Sequence, residues 1–124
     1  MIEQTKDNTN ISCDVIEFLK EKDAFSQNVH FATCKEKRPS RRKLILVNTL
    51  FAIQDEDTQE IDGHLNINIQ DSDKIWIEYT SELINLYVDE STIGDFRLEY
   101  TTEHLFKVSE NLFFKNLKFK FTSL

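Results

Sequence analysis

The side chains best suited to holding a transition metal are Cys13, Cys34, His30, His64 and His104. No pair of cysteines has the C-x₂₋₄-C spacing of a zinc site. His30 and Cys34 are four residues apart, which would serve on a helix. Their segment reads as a strand, where that spacing puts them about 13 Å apart. Asp55, Glu56 and Asp57 suggest calcium, yet the sixth and twelfth positions counted from Asp55 are Glu60 and Asn66. A calcium loop of the EF-hand type needs Gly and Glu there. With Gly63 and Gly94 the only glycines, a phosphate-cradling loop, a dinucleotide fingerprint and a G-x-S-x-G elbow are all excluded. The expectation is a protein with no catalytic residues, no metal and no cofactor. The two cysteines read as free, buried thiols of a reducing compartment.

Chemistry of recognition has more material. Trp76, Tyr79, Tyr87 and Tyr100 offer ring faces, and aromatic faces stack on bases in single-strand-binding proteins. Trp76 has the opposite parity to Ile75 and Ile77, so in a strand it points away from the core. There it is an anchor for a base or a protein, or it is covered by a loop or helix. Charge is unevenly spread. Residues 35–43 carry Lys35, Lys37, Arg38, Arg41, Arg42 and Lys43 against Glu36, and Lys115, Lys118 and Lys120 make the far end basic. Between them, residues 54–103 hold fourteen carboxylates against Lys74 and Arg97. The candidate contacts to nucleic acid or a partner are Arg41, Arg42, Lys43, Trp76, Tyr79, Lys118 and Lys120. The basic segment also fits a solvated loop, and Lys118 and Lys120 also fit the protection of a sheet edge.

The elements that must position these residues follow from periodicity. Residues 1–11 are polar and read as a flexible tail. After Ser12, Val15, Phe18 and Leu19 repeat at helical spacing, one stripe on a helix too short to stand alone. Strands follow at 29–34, 44–54, 64–70, 74–80, 96–100 and 112–121. The 44–54 run is apolar on both parities, as in a strand covered on both faces or bent between layers. In 64–70, Leu65, Ile67 and Ile69 face in while His64, Asn66, Asn68 and Gln70 face out. Asp71-Ser72-Asp73 is a turn signal. Thr80 or Ser81 offers a helix cap with Glu82 in the first turn, and Leu83, Ile84, Tyr87 and Val88 share one face. Residues 102–110 fit a loop or a helical turn. In the last strand Leu117, Phe119 and Phe121 face one way and Asn116, Lys118 and Lys120 the other.

Composition bounds the rest. The 124 residues carry a net charge of −7, are 40% hydrophobic and include ten Phe. That suits one acidic domain with a real core. No apolar run is long enough to cross a membrane, and the polar, acidic N-terminus does not read as a signal peptide. An intracellular, soluble protein is the expectation. After a lead-in strand, the order is three strands, a short helix and two strands. That is the order of a five-stranded OB-fold barrel, here spanning 12–124 behind an N-terminal helix.

Residues 47–56 (VNTLFAIQDE) and 75–84 (IWIEYTSELI) resemble the first strand with its acidic turn, and the third strand with its helix, in the small subunits of single-strand-binding complexes. The resemblance is to the smallest subunit of the CST telomere-capping complex, itself similar to the smallest subunit of replication protein A. It implies an OB fold pairing with the middle subunit of that complex, and contact with single-stranded DNA through the complex. It also implies a place in the nucleus at chromosome ends. The family pairs through a helix after the last strand, which this sequence lacks, so pairing would fall to the barrel and the N-terminal helix. From charge alone, a second reading is an acidic inhibitor or immunity protein that blocks a basic toxin or nuclease. A third is a structural β-domain of a larger assembly.

Overall fold

The computed structural model describes residues 4–5, 9–25, 29–33, 43–58 and 60–124. Helix α1 covers Thr9–Lys20, and a 3₁₀ turn at Asp23–Phe25 follows it. The strands are β1 (Gln4–Thr5), β2 (His30–Thr33), β3 (Leu44–Gln54), β4 (Ile61–Asp71), β5 (Thr92–Ile93), β6 (Phe96–Ser109) and β7 (Leu112–Ser123). Helix α2, Lys74–Val88, lies between β4 and β5. All seven strands join one curled, barrel-like sheet in the order β1-β3-β4-β7-β6-β5, with β2 parallel to the start of β3. Among the described residues no pairing joins the two ends of that order, so the sheet stays open.

Two long antiparallel hairpins, β3–β4 and β6–β7, supply most of the sheet, and β4 pairs with β7 to join them. Their alternation sets the two faces. Ile45 and Val47 of β3, Leu65, Ile67 and Ile69 of β4, Leu98 of β6, and Leu117, Phe119 and Phe121 of β7 are fully buried on one face. Both helices cover that face. Helix α1 packs on β3, β2 and β5 through Ile11, Val15, Ile16 and Leu19. Helix α2 packs on β4, β7 and β6, with Ile77, Ile84 and Val88 in the same core. The opposite face is polar: Asn116 Nδ2 donates to Asn66 Oδ1 (3.1 Å) and Asn68 Oδ1 (2.7 Å), and Asn68 Nδ2 to Asn48 Oδ1 (3.2 Å). Amides in such a ladder satisfy one another, which lets Asn68 be 7% exposed without an orphaned donor.

The sequence reading and the structure part at residues 74–80. This stretch, expected as the third barrel strand, is the first half of α2. Asp73 decides it: its Oδ1 accepts from the backbone N–H groups of Ile75 (3.0 Å) and Trp76 (3.2 Å), satisfying two donors a helix start leaves open. Thr80 and Ser81, expected as caps, are buried in mid-helix, and Glu82 is two turns in rather than in the first. A short β-branched apolar run fits either period, and here the cap overrides it. The five-stranded order with a helix after its third strand therefore does not hold. The helix follows β4 directly, and the described residues form seven strands.

Elsewhere the strands are longer than expected. The 64–70 strand extends to Ile61–Asp71, and the 96–100 strand runs on to Ser109, through most of the 102–110 stretch read as a loop or helical turn. Helix α1 opens at Thr9, so Ile11, assigned to the tail, is in the core. Cys13, expected buried, is exposed on that helix because the buried stripe is built on Ile11, Val15 and Leu19. Gly94, at φ +60°, makes the β5–β6 turn in backbone that other residues adopt at a cost. Among the described residues no helix is long and apolar enough to cross a membrane.

Candidate functional site

The five predicted contact residues that are described do not all share one surface. Arg41 and Arg42 lie outside the described residues, as does Cys34. Lys43 stands at the head of β3, and its Nζ lies 5.3 Å from the centre of the Trp76 ring. A cation over an indole face is favourable. Trp76 is half-buried on α2 and packs against the core, so its strand parity does not apply. Tyr79 is on the same helix, 60% exposed. Lys118 and Lys120 are on β7, opposite Asn66 and His64, on the face the helices leave free. Trp76 and the two lysines thus sit on opposite sides of the sheet. The acidic stretch 55–62 opens as an exposed turn, in which Asp55 Oδ1 accepts from Asp57 and Thr58 N–H groups at 2.8 and 3.0 Å. Those two bonds hold the Asp55 carboxyl below its usual pKa.

The arrangement that the structure does assemble lies between α2 and the β6–β7 hairpin. Residues 115, 117, 119 and 121 share the inward parity of β7, so Lys115 is aimed at the helix side, beside Ile69 and Leu105. It is 6% exposed. Its Nζ bonds Glu78 Oε1 of α2 at 2.7 Å and Glu103 Oε2 of β6 at 2.5 Å. Tyr100 donates its hydroxyl to Glu103 Oε1 at 2.8 Å. Burial alone would lower the Lys115 pKa, but the bonds to Glu103 and Glu78 outweigh it and raise it. The bond from Lys115 holds Glu103 below the usual carboxylate range. Burial, with the Glu103 carboxylate beside it, raises Tyr100. The shifts of Lys115 and Glu103 both favour their charged forms, so the network acts as a clamp. Sequence reasoning grouped Lys115 with the basic end. Its parity with Leu117, Phe119 and Phe121 was the signal that it points inward.

The clamp marks the point where the hairpin leaves the body. Residues 103–111 are exposed without a break. Leu105, Phe106 and Val108 are 37, 51 and 59% exposed. This arm carries Phe113 and Phe114 on its returning strand, and the Phe106 and Phe114 rings are 6.0 Å apart. On the adjacent helix, Ile75, Tyr79 and Leu86 are 81, 60 and 74% exposed. Six of the eight large apolar side chains exposed among the described residues therefore fall on the arm and on α2. On α2 itself lies a shallow apolar depression of about 360 Å³ along Lys74, Ile75, Glu78, Tyr79 and Glu82, and between α2 and the base of the arm a polar cavity of about 180 Å³. The cavity is lined by Glu78, Ser81, Glu82, Asn85, Glu103 and Lys115. Among the described residues no group of three or more His, Cys, Asp or Glu side chains is placed to hold a metal. The chemistry on offer is that of contact: apolar area, a carboxylate rim and a cation on the arm, Lys107.

No protein-family model matches this chain. No curated protein matches its sequence. Among solved structures, the chain is similar in fold to one from the virion of a native gene transfer agent (GTA) particle, with a TM-score of 0.72 at 7% identity. The match covers 91% of this chain and 93% of that one, so the fold is shared nearly end to end.

Proposed function

We propose that this chain is a structural subunit of a multi-chain protein assembly, held to its neighbours by the β6–β7 arm and the outer face of α2. The observation that carries the reading is the arm. Three large apolar side chains stand exposed on a hairpin that covers no core of its own. Apolar surface concentrated on a projecting element is the mark of an association site. The fold neighbour belongs to a virion particle, which supports the reading by giving this fold a precedent as a particle component.

The narrower reading, a small OB-like subunit in a single-stranded telomeric DNA complex, draws on the barrel-like curl of the sheet and on Lys118 and Lys120 sharing one face. It predicts binding of single-stranded DNA that weakens steeply with salt. The arm has no part in that reading. The two are told apart by cross-linking the tagged chain in its own cells and comparing wild type with Phe106→Asp after nuclease treatment. The assembly reading expects protein partners in fixed stoichiometry that the variant loses. Partners that the variant keeps, or recovery only with nuclease-sensitive DNA, would overturn it.

A further inference from the structure

Strand β6 has one used edge and one open edge. It pairs with β7 from Phe96 to Ser109, whereas β5 meets its other side only at Phe96 and Arg97. The N–H groups of Leu98 and Tyr100 leave on that other side, to Ser91 O at 2.9 Å and Asp89 Oδ1 at 2.8 Å. Glu103, Leu105 and Lys107 lie across from Leu117, Lys115 and Phe113, the same parity of β7 that Leu98 and Tyr100 meet. Residues of one parity in an antiparallel pair turn their backbone groups to the partner strand, and the others turn them away. The N–H and C=O groups of Glu103, Leu105 and Lys107 therefore point off the open edge. Among the described residues no strand pairs with them there. Register shifts on either side leave a regular run at 102–107, and an open edge of that kind is a template for another strand.

The side chains on the edge say which strand. Glu103 and Lys107 stand on one face of β6, two residues to either side of Leu105. Lys107 has only a loose 3.8 Å contact to Glu110, between exposed side chains. Paired antiparallel with a second copy of itself about an axis at Leu105, the edge sets Glu103 opposite Lys107 on both sides of that axis. An axis at Glu103 or at Lys107 would instead set like charges opposite each other, which is unfavourable. We infer that two copies of this chain join by their β6 edges, antiparallel about a two-fold axis at Leu105. Leu105 then exchanges its backbone bonds with Leu105 of the second copy, and Glu103 exchanges its own with Lys107. On the other face Phe106 meets His104 of the second copy, extending the ring contacts it makes with His104 and Phe114 of its own chain. The inference rests on the assembly reading and names the neighbour. Such a contact uses the same edge on both copies, so it closes at two and runs one sheet into the next.

The test is sedimentation velocity of the purified full chain across a wide concentration range, with thermal melts of each variant when dilute. Wild type is expected to pass from monomer to dimer and to stop there. Leu105→Pro deletes the N–H at the axis, which the β7 ladder does not use, so this variant should melt near wild type and stay monomeric. Lys107→Glu sets carboxylates opposite each other on both sides of the axis and should weaken the dimer by about tenfold or more. If the proline variant melts early, Lys107→Glu decides. At the axis a residue faces its own copy with Cα atoms about 5.5 Å apart, within reach of a disulfide. With Cys13 and Cys34 replaced by Ser, Leu105→Cys should therefore oxidise to a dimer, and Val108→Cys, which faces Thr102, should not. A wild type that stays monomeric overturns the edge pairing alone. The assembly reading then stands or falls on its cross-linking test, by whether a different protein is held through Phe106. Growth beyond a dimer, a Lys107→Glu chain that dimerises like wild type, or equal cross-linking at 105 and 108 would also overturn the pairing.

Discussion

The β6–β7 hairpin is two regions in one element. Near its base, Leu98, Leu117, Phe119 and Phe121 are fully buried beneath the two helices. Beyond Lys115 the apolar texture continues through Leu105, Phe106 and Val108, and nothing in the described chain covers them. Leu105, across from Lys115, continues the inward apolar face past its cover, while Phe106, across from Phe114, adds an apolar side chain on the other face. The cover here is α2, whose 15 residues span about 22 Å. Lys115, with Glu78 on one side and Glu103 on the other, stands where that cover gives out.

The sharpest way to break the comparison is to truncate one aromatic in each region. Phe119→Ala should cost about 3–5 kcal/mol, because it empties a fully enclosed site that the surroundings fill only in part. Phe106→Ala, in a ring half in water, should cost well under about 1 kcal/mol. Chemical denaturation of the two variants under conditions that keep the chain monomeric measures both. Equal losses would mean that the arm belongs to the core.

The boundary clamp sharpens the comparison through pH. Glu103 titrates lower in the folded chain than in the unfolded one, so its contribution is present above its unfolded value of about 4.3 and is lost as pH falls through its folded value. Lys115 titrates higher when folded, so its contribution is present below about 10.4 and is lost as pH rises through its folded value. Lys115→Met keeps the volume and lets the two half-exposed carboxylates return to water. It should change stability at neutral pH by no more than about 1–2 kcal/mol, in either direction. Its stability curve should be flatter than wild type at both the acid and the alkaline edge. Denaturation midpoints across the pH range would show it, and an unchanged acid slope would mean that Glu103 owes its shift to something other than Lys115.

How far the sequence could be read follows the same line. The inward sets Leu65, Ile67, Ile69 and Leu117, Phe119, Phe121 are legible because each alternates at the strand period between turn signals, and the strand at 44–54 because it is a long β-branched apolar run. The stretch 74–80 is not, since IWIEYT alternates as a strand while its continuation through Ile84 and Val88 repeats as a helix. One capping aspartate settles the matter, and Asp73 was legible only as part of a turn. Replacing it tests that account: Asp73→Ala should cost about 1 kcal/mol by orphaning the Ile75 and Trp76 N–H groups. Among the candidate contact residues, the orientation of Trp76 was not legible, because strand parity was applied to an element that is a helix. The arm was invisible for a different reason. Leu105, Phe106 and Val108 are apolar like any core strand, and exposure is a property of what packs on them.

The smallest expected effect on folding carries the most information about the arm. Phe106→Asp places a charge where a half-exposed ring stood, leaving Phe119, the clamp and both helices untouched. The ring meets Phe114 and His104 at the surface and fills no enclosed site, so the cost in a monomer should stay under about 1 kcal/mol. In an assembly held by the arm the same charge would be buried in the contact, where an unpaired carboxylate is strongly disfavoured. A variant that melts like wild type when dilute and fails to assemble when concentrated separates the two regions by one substitution. A variant that melts early even when dilute would return the arm to the body of the fold, and its exposed apolar residues would then need a covering segment within the chain.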